Sequence, residues 1–412
     1  MVLKTARESE GVNVDDYIRT SLSGSITPLE DILRNSPGIY PSIIMESIIR
    51  QGFSNRVQFS SQVTTGPFRQ EGTAQYYKEK DRRAPPHPLD FDWRFSPVTT
   101  KDLHEMCLAL SQEGDEIVML GTPTLFSRFA RNHSRRLVTL ADINDCQLGK
   151  PMPEGYRSLH VDLRYCALDS HHARLSIVDP PWYLDYTLPF LWHASNSIEI
   201  GGVVLMTKPK EGTRVGIEDE WKAICNFAGK VGLAFSTVES LEVRYETPYF
   251  EANALKASGL TNIPTDWRSA ELAVFRKTNS KLASFPSSQI ENSWTDVGYG
   301  VRVKLQDWKP GDFTNPYLET IVPGGILPTV SRRAPERKLA DVWTAGNRIF
   351  SCGGTSIFSL IMKSIGNPSA IRRKIEAHLD RRLSDSETAM VNSTHRQILR
   401  VLQIESLERN GR

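Results

Sequence analysis

From Glu116 the chain changes character: short apolar runs alternate with amphipathic stretches, and each run stops at a small or acidic residue. Ile117–Leu120 is an uninterrupted apolar run that ends at Gly121, which predicts a buried strand, and a helix follows near Thr124–Asn132. Leu137–Leu140 is the next strand, ending in Ala141-Asp142; Leu159–Val161 is short and ends in Asp162; Leu175–Val178 leads into Asp179. A helix near Leu184–Ser197, a strand Gly202–Met206, a helix Glu218–Gly229 and strands Phe235–Val243 and Leu272–Phe275 complete the series. No clear helix joins the last two. This βαβα alternation predicts a doubly wound α/β sheet whose ligands sit at the carboxyl ends of the strands.

The flanks read differently. Residues 1–25 are polar, a lead-in, and Thr27-Pro28 reads as a helix start before Leu29, Ile32 and Leu33. Ser36-Pro37-Gly38 breaks that helix, and Pro41 opens a second through Ile43, Ile44, Ile48 and Ile49. With possible strands over Arg56–Val63, residues 1–65 form a small helical module, winged-helix-like or simply packed on the core. Residues 66–97, rich in Pro, Arg and aromatics, are a connector that docks rather than a free linker, and Thr99–Gln112 is an amphipathic helix. The central domain spans 98–280. Residues 281–412 are an extension, irregular at first and then a helical tail from Pro368 through Ile371, Ile375, Leu379, Ile398, Leu399, Leu402 and Leu407.

Composition narrows this picture a little. A chain of 412 residues with 39% hydrophobic and 24% charged residues is an ordinary globular protein of two or three domains. Its net charge of +2 carries no global nucleic-acid signal, so any basic surface is local, as around Arg128–Arg136 and Arg372–Arg382. Cys107, Cys146, Cys166, Cys225 and Cys352 are far apart, as reduced thiols of a cytoplasmic protein are. No metal site is expected: His171-His172 has no carboxylate or thiol at ligand spacing. Neither a signal core nor an apolar run of about 18 residues is present, so no membrane association is expected. Cys352-Gly353-Gly354 reads as a strand-to-helix turn.

The chemistry concentrates at the four strand ends. Gly121-Thr122-Pro123 suits close backbone approach and a helix N-terminus. Asp142 and Asp162 end the next two strands. Asp179-Pro180-Pro181-Trp182 follows the fourth. Two prolines stiffen that turn, and its carbonyls and the Asp179 carboxylate can accept hydrogen bonds from an amino group. Trp182 or Tyr183 can stack on a planar base or pack along an alkyl amine.

These residues resemble the class I S-adenosylmethionine-dependent methyltransferases that act on amino groups. Val118–Phe126 looks like the G/S-T-P-x-L variant of the N6-adenine methyltransferase-like family, Asp142-Ile143-Asn144 like its acidic strand end, and Asp179–Trp182 like its D-P-P-W turn. The resemblance covers about 115–210 and implies a Rossmann-like sheet with the antiparallel hairpin edge of that class. It implies S-adenosylmethionine as cofactor, with Gly121, Thr122 and Pro123 near its methionine part, Asp142 on the ribose, Ile143 on the adenine and Asp162 on the adenine amino group or a nearby amide. Asp179, Pro180, Pro181 and Trp182 would be the catalytic turn. Tyr183, Tyr245, Tyr249 and Phe250, the last three in the loop before the final strand, would meet the acceptor.

Adenine N6 in DNA or RNA leads the acceptor classes, with a protein lysine or small amine next. A weaker similarity joins the small N-terminal module, Asp162-Leu163-Arg164 and the D-P-P turn to the branched-chain polyamine synthases. The acidic run those enzymes carry after the first strand is Gly121-Thr122-Pro123-Thr124 here. A scaffold with a methyltransferase-like fold is the non-enzymatic alternative. Oligomeric state is not readable.

Overall fold

In the computed structural model the described residues are 14–24, 26–36, 38–58, 87–132, 134–144, 152–169, 172–214, 216–260, 262–286, 294–305 and 312–410. The chain divides into two compact units: Met1–Ser60, Phe91–Thr247 and Pro264–Ile290 form one, and Ser61–Asp90, Pro248–Ile263 and Glu291–Arg412 the other.

Three helices open the first unit: α1 (Val14–Ser21), α2 (Leu29–Arg34) and α3 (Pro41–Arg50). The polar lead-in therefore hides a helix. Its signal is weak because α1 buries little beyond Ile18 and is fixed by polar contacts: Asp15 Oδ1 accepts from Ser47 Oγ at 2.6 Å and pairs with Arg50. Thr27–Pro28 is not the helix start. It forms a two-residue strand, parallel to Val57–Gln58, and α2 begins one residue later. Of the strands expected over Arg56–Val63, only the part through Gln58 lies within the described residues, and the connector is described only from His87.

The main sheet follows. We label its strands β1 (Glu116–Leu120), β2 (Leu137–Asp142), β3 (Tyr156–His160), β4 (Ala173–Val178), β5 (Ile198–Pro209), β6 (Leu233–Glu246) and β7 (Ser269–Lys277). Their order is β3-β2-β1-β4-β5-β7-β6, and the short strand Arg94–Phe95 pairs antiparallel on the outer side of β6. The first five run parallel, and β7 lies antiparallel between β5 and β6. This is a Rossmann-like α/β sheet with an antiparallel edge. The strand order reverses at β1 and β4, which opens a crevice at their carboxyl ends.

Alternation of side chains along the strands explains the layers. Ile117, Met119, Val138, Leu140, Ile177 and Leu205 face α4 (Pro97–Leu110) and α5 (Pro123–Arg131), packing with Leu103, Cys107, Phe126 and Phe129. Val118, Leu120, Val178, Val204 and Met206 face α6 (Leu184–Ser197) and α7 (Ile217–Lys230), packing with Tyr186, Leu191, Ala194 and Ile224.

The expectation of a helix-free β6–β7 connection is corrected. It carries α8 (Tyr249–Ala257), which belongs to the second unit. In that unit Asn253 Nδ2 donates to the Gly346 carbonyl at 3.1 Å, and the Tyr249 hydroxyl to Glu408 at 2.9 Å. The irregular reading of the extension is corrected as well. It holds an antiparallel sheet of β8 (Thr295–Asp296), β9 (Val301–Val303), β10 (Leu318–Thr320), β11 (Val342–Thr344) and β12 (Ile349–Cys352), in the order β8-β9-β11-β12-β10. Strands of two to four residues are too short to display a period of two. The short α9 (Glu336–Leu339) precedes β11, and α10 (Thr355–Met362), α11 (Pro368–Leu379) and α12 (Asp385–Asn410) follow β12, with Cys352 at the strand-to-helix turn. Val303, Val342, Phe358, Ile361, Ile371, Ile375 and Ile398 fill the core of this unit. No helix among the described residues is long and apolar enough to cross a membrane.

Candidate active site

Gly121 leaves β1 at φ 71°, in the left-handed region, with its N–H bonded to the Ala141 carbonyl at 3.0 Å. A Cβ there would lie 2.7 Å from the Asp179 carbonyl oxygen and 3.1 Å from Phe190 Cε1, so only glycine lets the two strand ends approach. The next residue, Thr122, is buried, and its Oγ1 has no hydrogen-bond partner among the described residues. Pro123 then starts α5 at the position where a missing N–H costs nothing.

Asp142 ends β2 with its carboxylate buried; Oδ1 accepts the Asn144 N–H at 2.6 Å. Burial pushes its pKa up to about 6, against the lowering effect of the Asn144 hydrogen bond and the charge of Arg94. Ile143 is half-buried beside it. Asp162, just past β3, already has partners. It accepts the Arg164 N–H at 3.0 Å, Nε at 3.1 Å and Nη2 at 2.7 Å. The Arg164 guanidinium in turn lies over Tyr165 and Tyr186. A ligand amino group would share Asp162 with this arginine.

At the end of β4 the Asp179 N–H donates to the Leu120 carbonyl at 3.0 Å, which ties the D-P-P turn to β1. Asp179 Oδ1 accepts two hydroxyls, Thr207 Oγ1 at 2.5 Å and the Tyr245 hydroxyl at 2.6 Å. Thr207 comes from the end of β5 and Tyr245 from the end of β6, so the carboxylate is held from three strands. Oδ2 has no hydrogen-bond partner among the described residues. Burial raises the Asp179 pKa to about 7; the two hydroxyls oppose the shift and the Asp142 charge adds to it. Tyr245 is pushed well above its ordinary value by burial and by Asp179, and so remains a donor.

Aromatic side chains and two arginines surround the turn. Trp182 meets Tyr245 edge to face with ring centroids 5.8 Å apart. The Arg268 guanidinium lies 4.7 Å from the Trp93 ring centroid, 5.3 Å from Trp267, 5.6 Å from Trp182 and 5.9 Å from Tyr40. Arg214 donates to the Trp182 carbonyl, pairs with Glu220 at 2.7 Å and lies over the Tyr183 ring. Beyond Trp182 a cavity of about 130 Å³ runs past Met206 and Ile224 to Trp221, with Glu211 and Glu218 in its wall.

Of the residues predicted from sequence, Gly121, Thr122, Asp142 and Asp179–Tyr183 sit at the carboxyl edge of the sheet, joined there by Tyr245. Tyr249 and Phe250 are on α8 in the second unit, Phe250 buried, and not on a loop. Thr207, Arg214 and Arg268 were missed. Thr207 stands in an apolar strand that offers nothing else to satisfy its hydroxyl, which is the one signal the sequence holds for it.

No family model matches the chain, and no curated protein matches it. Among solved structures, it resembles the branched-chain polyamine synthase from Thermus thermophilus in complex with N4-aminopropylspermidine and 5'-methylthioadenosine. That likeness has 16% identity and a TM-score of 0.49, covering 67% of this chain and 91% of that one. TrmN from Thermus thermophilus matches at 16% identity and TM-score 0.30, over 44% of this chain and 48% of that one. A TehB-like SAM-dependent methyltransferase from Corynebacterium glutamicum matches at 13% identity and TM-score 0.28, over 44% of this chain and 100% of that one. Identities this low carry no activity from one chain to another.

Proposed function

We propose that this chain is an S-adenosylmethionine-dependent N-methyltransferase whose acceptor is an amino nitrogen, with adenine N6 in nucleic acid as the leading acceptor. One observation carries the reading: a carboxylate with one oxygen fixed by two hydroxyls, and no such partner on the other among the described residues, is held at the switch point of the sheet, on a turn that also presents Trp182.

The residues at the strand ends fit the cofactor. Gly121 lets the two strand ends that would flank the cofactor come together, the orphaned Thr122 hydroxyl offers a hydrogen bond, and Asp142 supplies a buried carboxylate for hydroxyl groups. When bound, S-adenosylmethionine supplies an electrophilic methyl group on a sulfonium.

The protein's part is orientation and desolvation rather than strong-base chemistry. Asp179 Oδ2 and the Pro180 carbonyl accept N–H bonds from the acceptor, which localises a conjugated lone pair on nitrogen. Thr207 and Tyr245 keep Asp179 from turning away and favour its accepting, ionised form against the burial that raises its pKa to about 7. The prolines fix the carbonyl. The half-buried Trp182 offers a face for a planar base. A carboxylate that titrates near 7 also takes the proton released after transfer.

A second reading, a lysine or other alkylamine as acceptor, draws support from the adjoining cavity. Glu211 and Glu218 line it, and the Lys208 ammonium already lies 5.1 Å from the Trp221 ring centroid there. Calorimetric titration with S-adenosylmethionine tests the common core of both readings. Asp142→Ala should lose most of the cofactor affinity and Asp179→Asn almost none; if the wild-type chain takes up no cofactor, the enzymatic reading fails and the fold serves as a scaffold.

A further inference from the structure

Tyr245 stands just past the last regular pair of the β6–β7 ladder, Arg244 against Ser269. Beyond it the chain enters the second unit at Pro248, runs through α8 and is back in the first unit at Pro264. Across this gap the two limbs fall out of step. The Tyr245 N–H donates to the Arg268 carbonyl at 3.0 Å, but two residues on the Thr247 N–H donates to the Thr265 carbonyl at 2.7 Å, three residues back on the other limb. The returning limb therefore carries one extra residue, as in a β-bulge, and such an offset disrupts the ladder of hydrogen bonds. The Thr247 side chain makes up the loss. Its Oγ1 accepts the Trp267 N–H at 3.2 Å and donates to the Pro264 carbonyl at 2.7 Å.

This clasp closes beside residues of the site. Tyr245 delivers its hydroxyl to Asp179 Oδ1 at 2.6 Å, and Trp267 and Arg268 on the opposite limb belong to the cluster around Trp182. A short hydrogen bond to a buried carboxylate weakens steeply when its donor is displaced. On its outer side Tyr245 pairs with Phe95, in a strand of just two residues. Its inner side is held by the Arg268 carbonyl and, next to it, by the bonds of Thr247.

We propose that Thr247 is a positioning residue of the site, whose hydroxyl closes the β6–β7 limbs and so holds Tyr245 on Asp179. Its part in transfer rests on the function proposed above; its hold on Tyr245 does not. The Asp179 carboxyl carbon tests that hold without cofactor or acceptor. It is followed by NMR against pH in the full chain labelled at its aspartate carboxyls, and assigned by its loss in Asp179→Asn. The groups acting on Asp179 are Thr207 of β5, Tyr245 of β6 and Asp142 of β2, so a loosened Tyr245 raises the midpoint from about 7. Thr247→Val and Thr247→Ala should each raise it by about half a unit, and Thr247→Ser should restore it. Added to Tyr245→Phe, Thr247→Val should shift it no further, because it acts through that hydroxyl. The pH limb of kcat/KM should move with the midpoint while cofactor affinity stays. An unmoved midpoint in a folded Thr247→Val or Thr247→Ala chain would overturn the role. So would a midpoint that stays raised in Thr247→Ser, or an additive shift in the double variant. Absence of transfer by the wild-type chain would defeat the proposed function instead, and the titration would still decide on Thr247.

Discussion

The Tyr245 hydroxyl stands 2.6 Å from Asp179 Oδ1, and the two residues are 66 positions apart in the chain. The contact joins β6, at one side of the sheet, to the turn after β4, and Thr207 of β5 completes it at 2.5 Å. One carboxylate oxygen is thereby consumed in holding the other in place. Each donor also lowers a pKa that burial drives up to about 7.

Methyl transfer should therefore depend on pH through Asp179. Below about 7 the carboxyl is protonated and cannot accept from the amine; above it, it can. The rate should rise with pH along a single limb centred near 7. Tyr245→Phe removes one donor and should move that limb up by about one unit. A limb that stays in place, measured as kcat/KM against pH, would separate Tyr245 from Asp179.

Stability should depend on pH in the opposite sense. Asp179 and Asp142 are raised to about 7 and about 6, so the folded chain holds these protons more tightly than the unfolded one. Their stabilising contribution is full below the unfolded value near 4, falls as the pH rises and is lost above about 7. Asp179→Asn cannot ionise. It should melt about 3 °C above wild type at pH 8, with no such gain at pH 4.

Gly121→Ala places a methyl group 2.7 Å from the Asp179 carbonyl on a backbone at φ 71°. It should cost about 1–3 kcal/mol of stability and abolish transfer, because either the β1 turn or the D-P-P turn must move. Chemical denaturation alongside an activity assay checks both.

Arg268→Gln removes the guanidinium shared by Tyr40, Trp93, Trp182 and Trp267. Trp182 then loses a cation that fixes its ring. The acceptor KM should rise about tenfold with kcat little changed, a loss of uniform binding. Tryptophan fluorescence should shift in parallel; cofactor affinity should not.

How far the sequence reveals this depends on the range of each contact. The strand ends Gly121, Asp142 and Asp179 are legible because each follows a buried apolar run, and the parallel sheet makes such runs continuous; Asp162 follows the half-exposed edge strand Tyr156–His160, whose signal is weaker. That Asp162 is already engaged by Arg164 is a local contact, two residues away, yet a matter of side-chain direction that spacing alone does not fix. Arg214 and Arg268 are illegible for a different reason, and the lone hydroxyl of Thr207 does not announce its partner: all three reach the D-P-P turn only after β5 and β7 are laid beside it. α8 was hidden by Pro248 and by the expectation of a plain hairpin, although Tyr249–Ala257 holds good helix formers. The second unit's short strands carry too few residues to announce themselves.

The decisive measurement is transfer of a labelled methyl group from S-adenosylmethionine into a cell extract, with wild-type protein and Asp179→Asn in parallel, followed by separate nuclease and protease digestion. Label that enters with wild type, survives protease, is released by nuclease and is absent with Asp179→Asn is the expected result. Equal labelling by the two proteins, or none by either at saturating cofactor, would contradict amino-group transfer at the Asp179 turn.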